Sequence, residues 1–443
     1  MKIAWPGTMR NWGFVVEVVL GYLVFKTAVD AVVYLYVQGI LPPPYFHATN
    51  DTLMDWFNVA FWAHNPGAYY SFRSVYPPIA FDFLRIVSLP SCYRFDGFFA
   101  RECDWLSIDV ICAIFVLNTI LIYLCYRKWD RRTSLMRTAG LALGLPMLFT
   151  LERGNLIIPC FTAFVLGQGP LLRSSRLKWL CSAIAVNFKP YLLLTVAGHL
   201  VRRRWRWFEG YVLAIVVVYV ISWGLEGAGT PIEVANDIFA FSANNAGAFD
   251  PALYASSYQG LLTALQAHFP FTYFLGSEPI RWMELVFPAM VLIGQVGVAA
   301  CFFGACVWNR AIPLYRLSAM SIAFAITTMN AGGYTLVFLI FLVFMDRFDG
   351  VGQIIAIIAA YILSISYDIP LVPVAKTLNL SWLSGRLVGQ QIAINLGELA
   401  RPGAILVIEY GLILASAFDL RRAFRAKRAE RTRTGPAPAL AAM

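Results

Sequence analysis

Histidine and charge are what this chain has least of. Of 443 residues only four are histidine and 14% are charged, against roughly 25% charged in a soluble domain. So little charge leaves too little polar surface to cover a water-soluble core of this length. The few histidines have no ligand-like spacing, so there is no zinc signature and no divalent metal is indicated. No sequence repeat appears, nor any stretch with the composition of a separate soluble domain. A net charge of +10 can point to nucleic acid, but here the basic residues sit beside hydrophobic runs, where they complement anionic headgroups and set orientation. Nucleic acid is not among the expected partners; membrane lipid is.

Hydrophobic residues fill that deficit. They make up 59% of the chain, with 15% aromatic and a mean hydropathy of +0.65. Runs long enough for a roughly 30 Å hydrocarbon core recur from end to end. Basic loops resist translocation, so the clusters at Arg127 to Arg137, Arg173 to Lys178, Arg202 to Arg206 and Arg421 to Arg433 belong in the cytoplasm. The expectation is an all-α polytopic membrane protein in a plasma (inner) membrane, with about a dozen transmembrane segments, several short or broken, and both termini cytoplasmic. Residues 1–420 form a single integral membrane domain, and 421–443 a basic, disordered tail.

The crossings can be placed one by one. Residues 13–38 run outward; Glu17, Lys26 and Asp30 within them read as interior partners, the last two being one turn apart. An external loop over 41–104 follows, expected to carry interfacial helices, and 105–126 return inward. Residues 138–171 form an out-and-back pair broken at Glu152-Arg153-Gly154-Asn155, and 179–201 a shorter one broken at Asn187-Phe188-Lys189-Pro190. Arms so short stop part-way through the membrane, where polar backbone must line a cavity. After 207–223 comes a second external loop over 224–280, then a crossing at 282–307. A third broken pair spans 317–345 with its tip at Asn330-Ala331-Gly332-Gly333, and crossings at 351–366 and 402–418 flank an external loop containing Lys376 and Arg386.

Six of the eight cysteines lie in hydrophobic segments and read as small apolar side chains. Cys92 and Cys103 instead share the first external loop. An oxidising exterior favours their pairing; otherwise they are two unrelated thiols.

Polar residues that a membrane would exclude are densest in that same loop, from Asn50 to Asn58 and on through His64 to Tyr76-Pro77-Pro78. In a helix, Asp51 and Asp55 share a face. Asp51 or Asn50 suits an N-cap, which leaves Asp55, further inside, unexplained as a cap. His47 and His64 read as external surface residues.

Asp55-Trp56-Phe57, the Pro-Gly turn leading to Tyr69, and Tyr76-Pro77-Pro78 resemble the opening of glycosyltransferase family 87, membrane-embedded GT-C enzymes that take sugars from polyprenyl phosphates. Glu152-Arg153-Gly154-Asn155 resembles that family's Arg-Gly-Gln-x-Asn segment without the Gln, and Lys189-Pro190-Tyr191 its Lys-Pro hairpin. Where members carry Asn-Gln-Ser-Leu-x-Gly, this chain keeps only Ser257 and Gly260, and the late tip running to Tyr334 has no His.

The resemblance implies an inverting GT-C-like transferase moving a hexose or pentose, mannose-like, from a polyprenyl-phosphate donor to a glycan or glycolipid acceptor at the external face, with no further cofactor. Asp55 would remove the acceptor proton. Lys189 and Arg153 would stabilise the phosphate leaving group. Asn155, Tyr76, Asp51, Ser257, Asn330 and Tyr334 would complete the substrate site. Broken helices with polar tips also mark secondary transporters, and a lipid-linked glycan flippase or ligase would share the lipid substrate; both stay open at this point.

Overall fold

The computed structural model describes residues 7–45, 49–245, 275–328 and 332–433. Its first helix, α1 (Gly7–Gln38), tells which solvent the fold meets. Exposed Val15, Val19, Phe25 and Val32 are as apolar as buried Val24, Ala28 and Ala31. Apart from one exposed Lys26–Asp30 pair, such a helix offers water no polar stripe and suits hydrocarbon.

By length and composition, six helical stretches among the described residues can cross a membrane. They are α1, α5 (Trp105–Trp129), the joined pair α6 (Ser134–Ala142) and α7 (Leu145–Arg153), α11 (Trp205–Glu226), α13 (Ser277–Val307) and α17 (Leu396–Arg433). Shorter elements lie between them: α8 (Ile157–Gln168), α9 (Ser175–Phe188), a 3-10 segment (Pro190–Val196) leading into α10 (Ala197–Val201), α14 (Leu314–Thr328), α15 (Leu336–Val343) and α16 (Val351–Leu363). A helix of that length rises only about 15–20 Å. Of these, α8, α14 and α15 are packed inside, where Phe161, Phe164, Phe338 and Phe341 form one aromatic cluster.

The first loop folds into α2 (Met54–His64), α3 (Pro78–Ile86) and α4 (Gly97–Cys103), and the Cys92–Cys103 disulfide closes it just before α5. Pro78 occupies the first turn of α3, where its missing N–H costs nothing. Beyond α11, α12 (Pro231–Asn245) leads to residues 246–274, which lie outside the described residues.

Four expectations need correction. The chain is not all-α: β1 (Pro370–Leu380) and β2 (Leu387–Asn395) pair antiparallel where the expectation was an external loop between helices. Val, Ile and Thr favour strand over helix there, and Gly385 takes a left-handed turn conformation. Second, of the tail expected to be disordered, residues 421–433 continue α17, while 434–443 lie outside the described residues; Ala, Arg, Lys and Glu are strong helix formers. Third, Lys26 and Asp30 do bond each other at 2.5 Å, but on an exposed face, not in the interior. Fourth, Leu53 takes the N-cap position of α2 with no side-chain cap bond, so Asp51 and Asn50 are not N-caps; Leu53 is held instead through its N–H to the Glu152 carbonyl, 2.7 Å.

Side-chain ties gather the polar loops at two ends. At one, Arg85 meets Glu226 at 2.6 Å, Trp382 of the hairpin turn donates to Glu102 at 2.7 Å, and Thr49 donates to the Leu380 carbonyl at 3.0 Å. At the other, Arg137 pairs with Glu17 at 2.7 Å and Arg316 with Asp346 and Asp419 at 2.7 and 2.5 Å. The basic clusters lie at this second end.

Candidate functional site

Three segments distant in sequence meet at the first end. Arg153 closes α7 and Gly154 terminates it in the left-handed conformation (φ +60°). A Cβ at Gly154 would lie 3.0 Å from the Leu53 backbone. Glycine is therefore needed twice over, for the turn and for the approach of the α7–α8 break to the start of α2.

That approach assembles the cluster. Asp55 accepts from Arg153 Nη2 at 2.6 Å on one oxygen and from Asn155 Nδ2 at 2.7 Å on the other. Asn155 is itself fixed, its Oδ1 accepting the Ile157 N–H at 3.0 Å. Arg153 also donates to the Asp51 carbonyl at 3.1 Å and approaches the Asp51 carboxylate at 3.4 Å. Thr52 Oγ donates to Glu152 Oε1 at 3.1 Å, while Glu152 Oε2 is buried without a partner among the described residues. Arg153 is 7% exposed, Asp55 21%. The carboxylate is thus oriented by two donors and still open to solvent.

Lys189 lies at the break after α9. Its ammonium is 3.5 Å from the Tyr76 hydroxyl and 4.5 Å from the centre of that ring, and it is within electrostatic range of Asp55. A cation over an aromatic face is stabilised without being neutralised. Tyr334 lies further out, its ring 5.8 Å from Phe149 one turn below Glu152. Of the expected residues, then, Asp51, Asp55, Arg153 and Asn155 share one bonded cluster, with Lys189 and Tyr76 beside it and Tyr334 on its flank. Ser257, Asn330 and His47 lie outside the described residues. His64 is not a free surface residue: it is half-buried, 2.7 Å from Ser88 Oγ and stacked on Tyr93.

Two contributors were not anticipated. Glu152 adds a third carboxylate to the cluster. Buried Arg101 braces its floor, donating to the carbonyls of Asn50 and Thr52 at 2.6 and 2.8 Å, with its guanidinium over the Trp382 ring. No local spacing announces either role, because each depends on a partner some fifty to three hundred residues away.

Chemically, the site offers a fixed carboxylate that can accept a proton and, nearby, a cation able to meet a phosphate. Compared with known proteins, the chain matches no family model, no curated protein and no solved structure.

Proposed function

We propose that this protein is an inverting membrane glycosyltransferase that uses a polyprenyl-phosphate sugar as donor, in keeping with its resemblance to family 87. The observation that carries this reading is Asp55: held at 2.6 and 2.7 Å by Arg153 and Asn155, partly exposed, and within electrostatic range of Lys189. An acceptor hydroxyl is a poor nucleophile at neutral pH. Asp55 takes its proton as the oxygen attacks the anomeric carbon; the bond from that carbon to the phosphate oxygen breaks, and polyprenyl phosphate leaves with the electron pair. A phosphate needs no general acid, but its charge needs a counter-charge, which Lys189 supplies. One displacement inverts the anomeric centre.

The same reading orients the protein. The end carrying Asp55, the α3–α11 tie and the hairpin faces the exterior or periplasm, and the basic end with both termini faces the cytoplasm; counting the short helices as arms of broken pairs, the chain makes about a dozen partial or full crossings. Cysteines introduced at exposed Tyr70 and Leu378 should react with an impermeant reagent in intact cells, and protection of both until lysis would reverse the orientation.

The decisive assay incubates the purified protein with labelled polyprenyl-phospho-sugars and acceptor glycans and follows free polyprenyl phosphate. Release that depends on acceptor and disappears in Asp55→Asn supports transfer. A transporter or flippase would bind or move the donor with the sugar–phosphate bond intact.

A further inference from the structure

Tyr69, which bonds the Tyr76 carbonyl, lines a cavity of about 470 Å³, within the range of roughly 300–1,000 Å³ typical of small-molecule sites. Its wall is built from the end of α2, the 65–70 turn, α3, the end of α11 and the start of α12. We propose that this cavity binds a neutral saccharide unit, and that in the transfer reaction it holds a further sugar of a glycan acceptor whose reacting hydroxyl lies at Asp55.

The cavity is a constructed one. Arg85 spans it, donating to both Glu226 oxygens at 2.6 and 3.0 Å and to the Ala63 carbonyl at 2.7 Å. Gly67 sits at φ +100°, where a Cβ would come within 2.8 Å of Ser71 Oγ, so the turn bearing Tyr69 and Tyr70 closes only with glycine. Tyr219 donates to the Gly229 carbonyl at 2.8 Å, and Thr230 N–H to Glu233 at 2.7 Å, which fixes the opposite rim.

Lining chemistry selects the ligand. Glu226 and Glu233 against Arg85 leave the cavity net negative. Burial, and then neighbouring Arg85, hold the His64 pKa below the ordinary histidine value, which disfavours a positive charge there. A phosphate is repelled by such a lining, so the donor headgroup is not the occupant. Carboxylates with spare lone pairs and a bidentate guanidinium suit hydroxyl groups. Tyr70, 90% exposed at the mouth, presents a ring face with no packing role, against which the apolar face of a sugar can lie.

Cavity and cluster also share a wall. Tyr69 lines the cavity and donates to the Tyr76 carbonyl at 2.8 Å, while the Tyr76 hydroxyl faces Lys189. Asp55 opens α2 and His64 ends it, which separates the two by about 14 Å at 1.5 Å rise per residue. The cavity therefore receives a more distant unit of the glycan and not the sugar that reacts.

Saccharide binding is independent of the transferase reading; only the word acceptor rests on it. Dissociation constants for methyl hexosides, methyl pentosides and short oligosaccharides, measured on the full chain in lipid nanodiscs, test it, with inorganic phosphate and choline as alternative ligands. At least one saccharide should bind; Tyr70→Ala should weaken it about tenfold, the scale of losing an aromatic anchor, and Glu233→Gln by a smaller factor. Both residues are exposed, so neither variant endangers the fold. Asp55→Asn should leave the methyl glycoside constants unchanged, since a single unit in the cavity does not reach it, and in transfer assays Tyr70→Ala should raise KM for oligosaccharide acceptors without lowering kcat. Failure of every saccharide to bind, binding indifferent to Tyr70→Ala, or choline bound in preference would overturn the proposal. Absence of acceptor-dependent release of polyprenyl phosphate by the wild-type protein would instead strike the transferase reading and leave the cavity standing.

Discussion

Arg153 and Arg137 each donate to a carboxylate from a distant segment, Asp55 and Glu17, at 2.6 and 2.7 Å. Around Arg137 the carboxylate is 0% exposed and the guanidinium also holds the Asp346 carbonyl at 2.7 Å; around Arg153 the carboxylate is 21% exposed and a third acid, Glu152, keeps one oxygen unpartnered among the described residues. The first arrangement is sealed and complete, the second open and short of donors. Identical chemistry is thus sealed at one end of the molecule and open at the other, and burial makes the difference: a sealed pair is costly to break, whereas an open one can exchange partners.

The sharpest way to break this contrast is Asp55→Asn. Size and one of the two accepting oxygens survive while basicity is lost, so transfer should fall by about 10² to 10⁴, the usual contribution of a general base, with a smaller loss of melting temperature from the ion pair to Arg153. A large drop in melting temperature with transfer intact would make Asp55 a structural residue like Glu17.

Arg137→Met is the converse experiment. Leaving Glu17 buried and unpaired should cost about 3–5 kcal/mol of stability, read as a large loss of folded protein in thermal or detergent challenge. Protein that remains folded should transfer at the parent rate, and Glu17→Leu added to Arg137→Met should recover part of the loss.

A smaller effect is expected where the open end is stapled. Replacing Cys92 and Cys103 with serine removes a short loop closure worth at most about 3 kcal/mol; α4 should become more susceptible to protease while donor binding persists. Smallest of all, Asp51→Asn should change transfer by less than about fivefold, since its carboxylate is 3.4 Å from Arg153 and 32% exposed, and such a pair carries roughly 0–1 kcal/mol. Should Asp51→Asn abolish transfer while Asp55→Asn does not, the two roles must be exchanged.

Much of this was legible in the chain. Long apolar runs marked the helices because hydrocarbon imposes length and apolarity together, and the breaks at Gly154 and Lys189-Pro190 were visible because polar residues inside such runs are exceptional. The hairpin at 370–395 was not, because its apolar residues alternate too weakly and Pro370 and Pro373 interrupt the pattern. The helical course of 421–433 was obscured by charge density, which signals exposure and not disorder when the residues are good helix formers.

By itself, then, the sequence determined the solvent, most helices and the residue types that carry chemistry, since these depend on composition and on neighbours within a turn or two. Only the tertiary structure decided that Asp55 lies between Arg153 and Asn155, that Asp51 serves no cap, that Arg101 braces the floor and that Arg85 and Glu226 frame a cavity. Those relations join residues 49 to 141 positions apart, and such contacts are set by how helices pack, which no local pattern of side chains encodes.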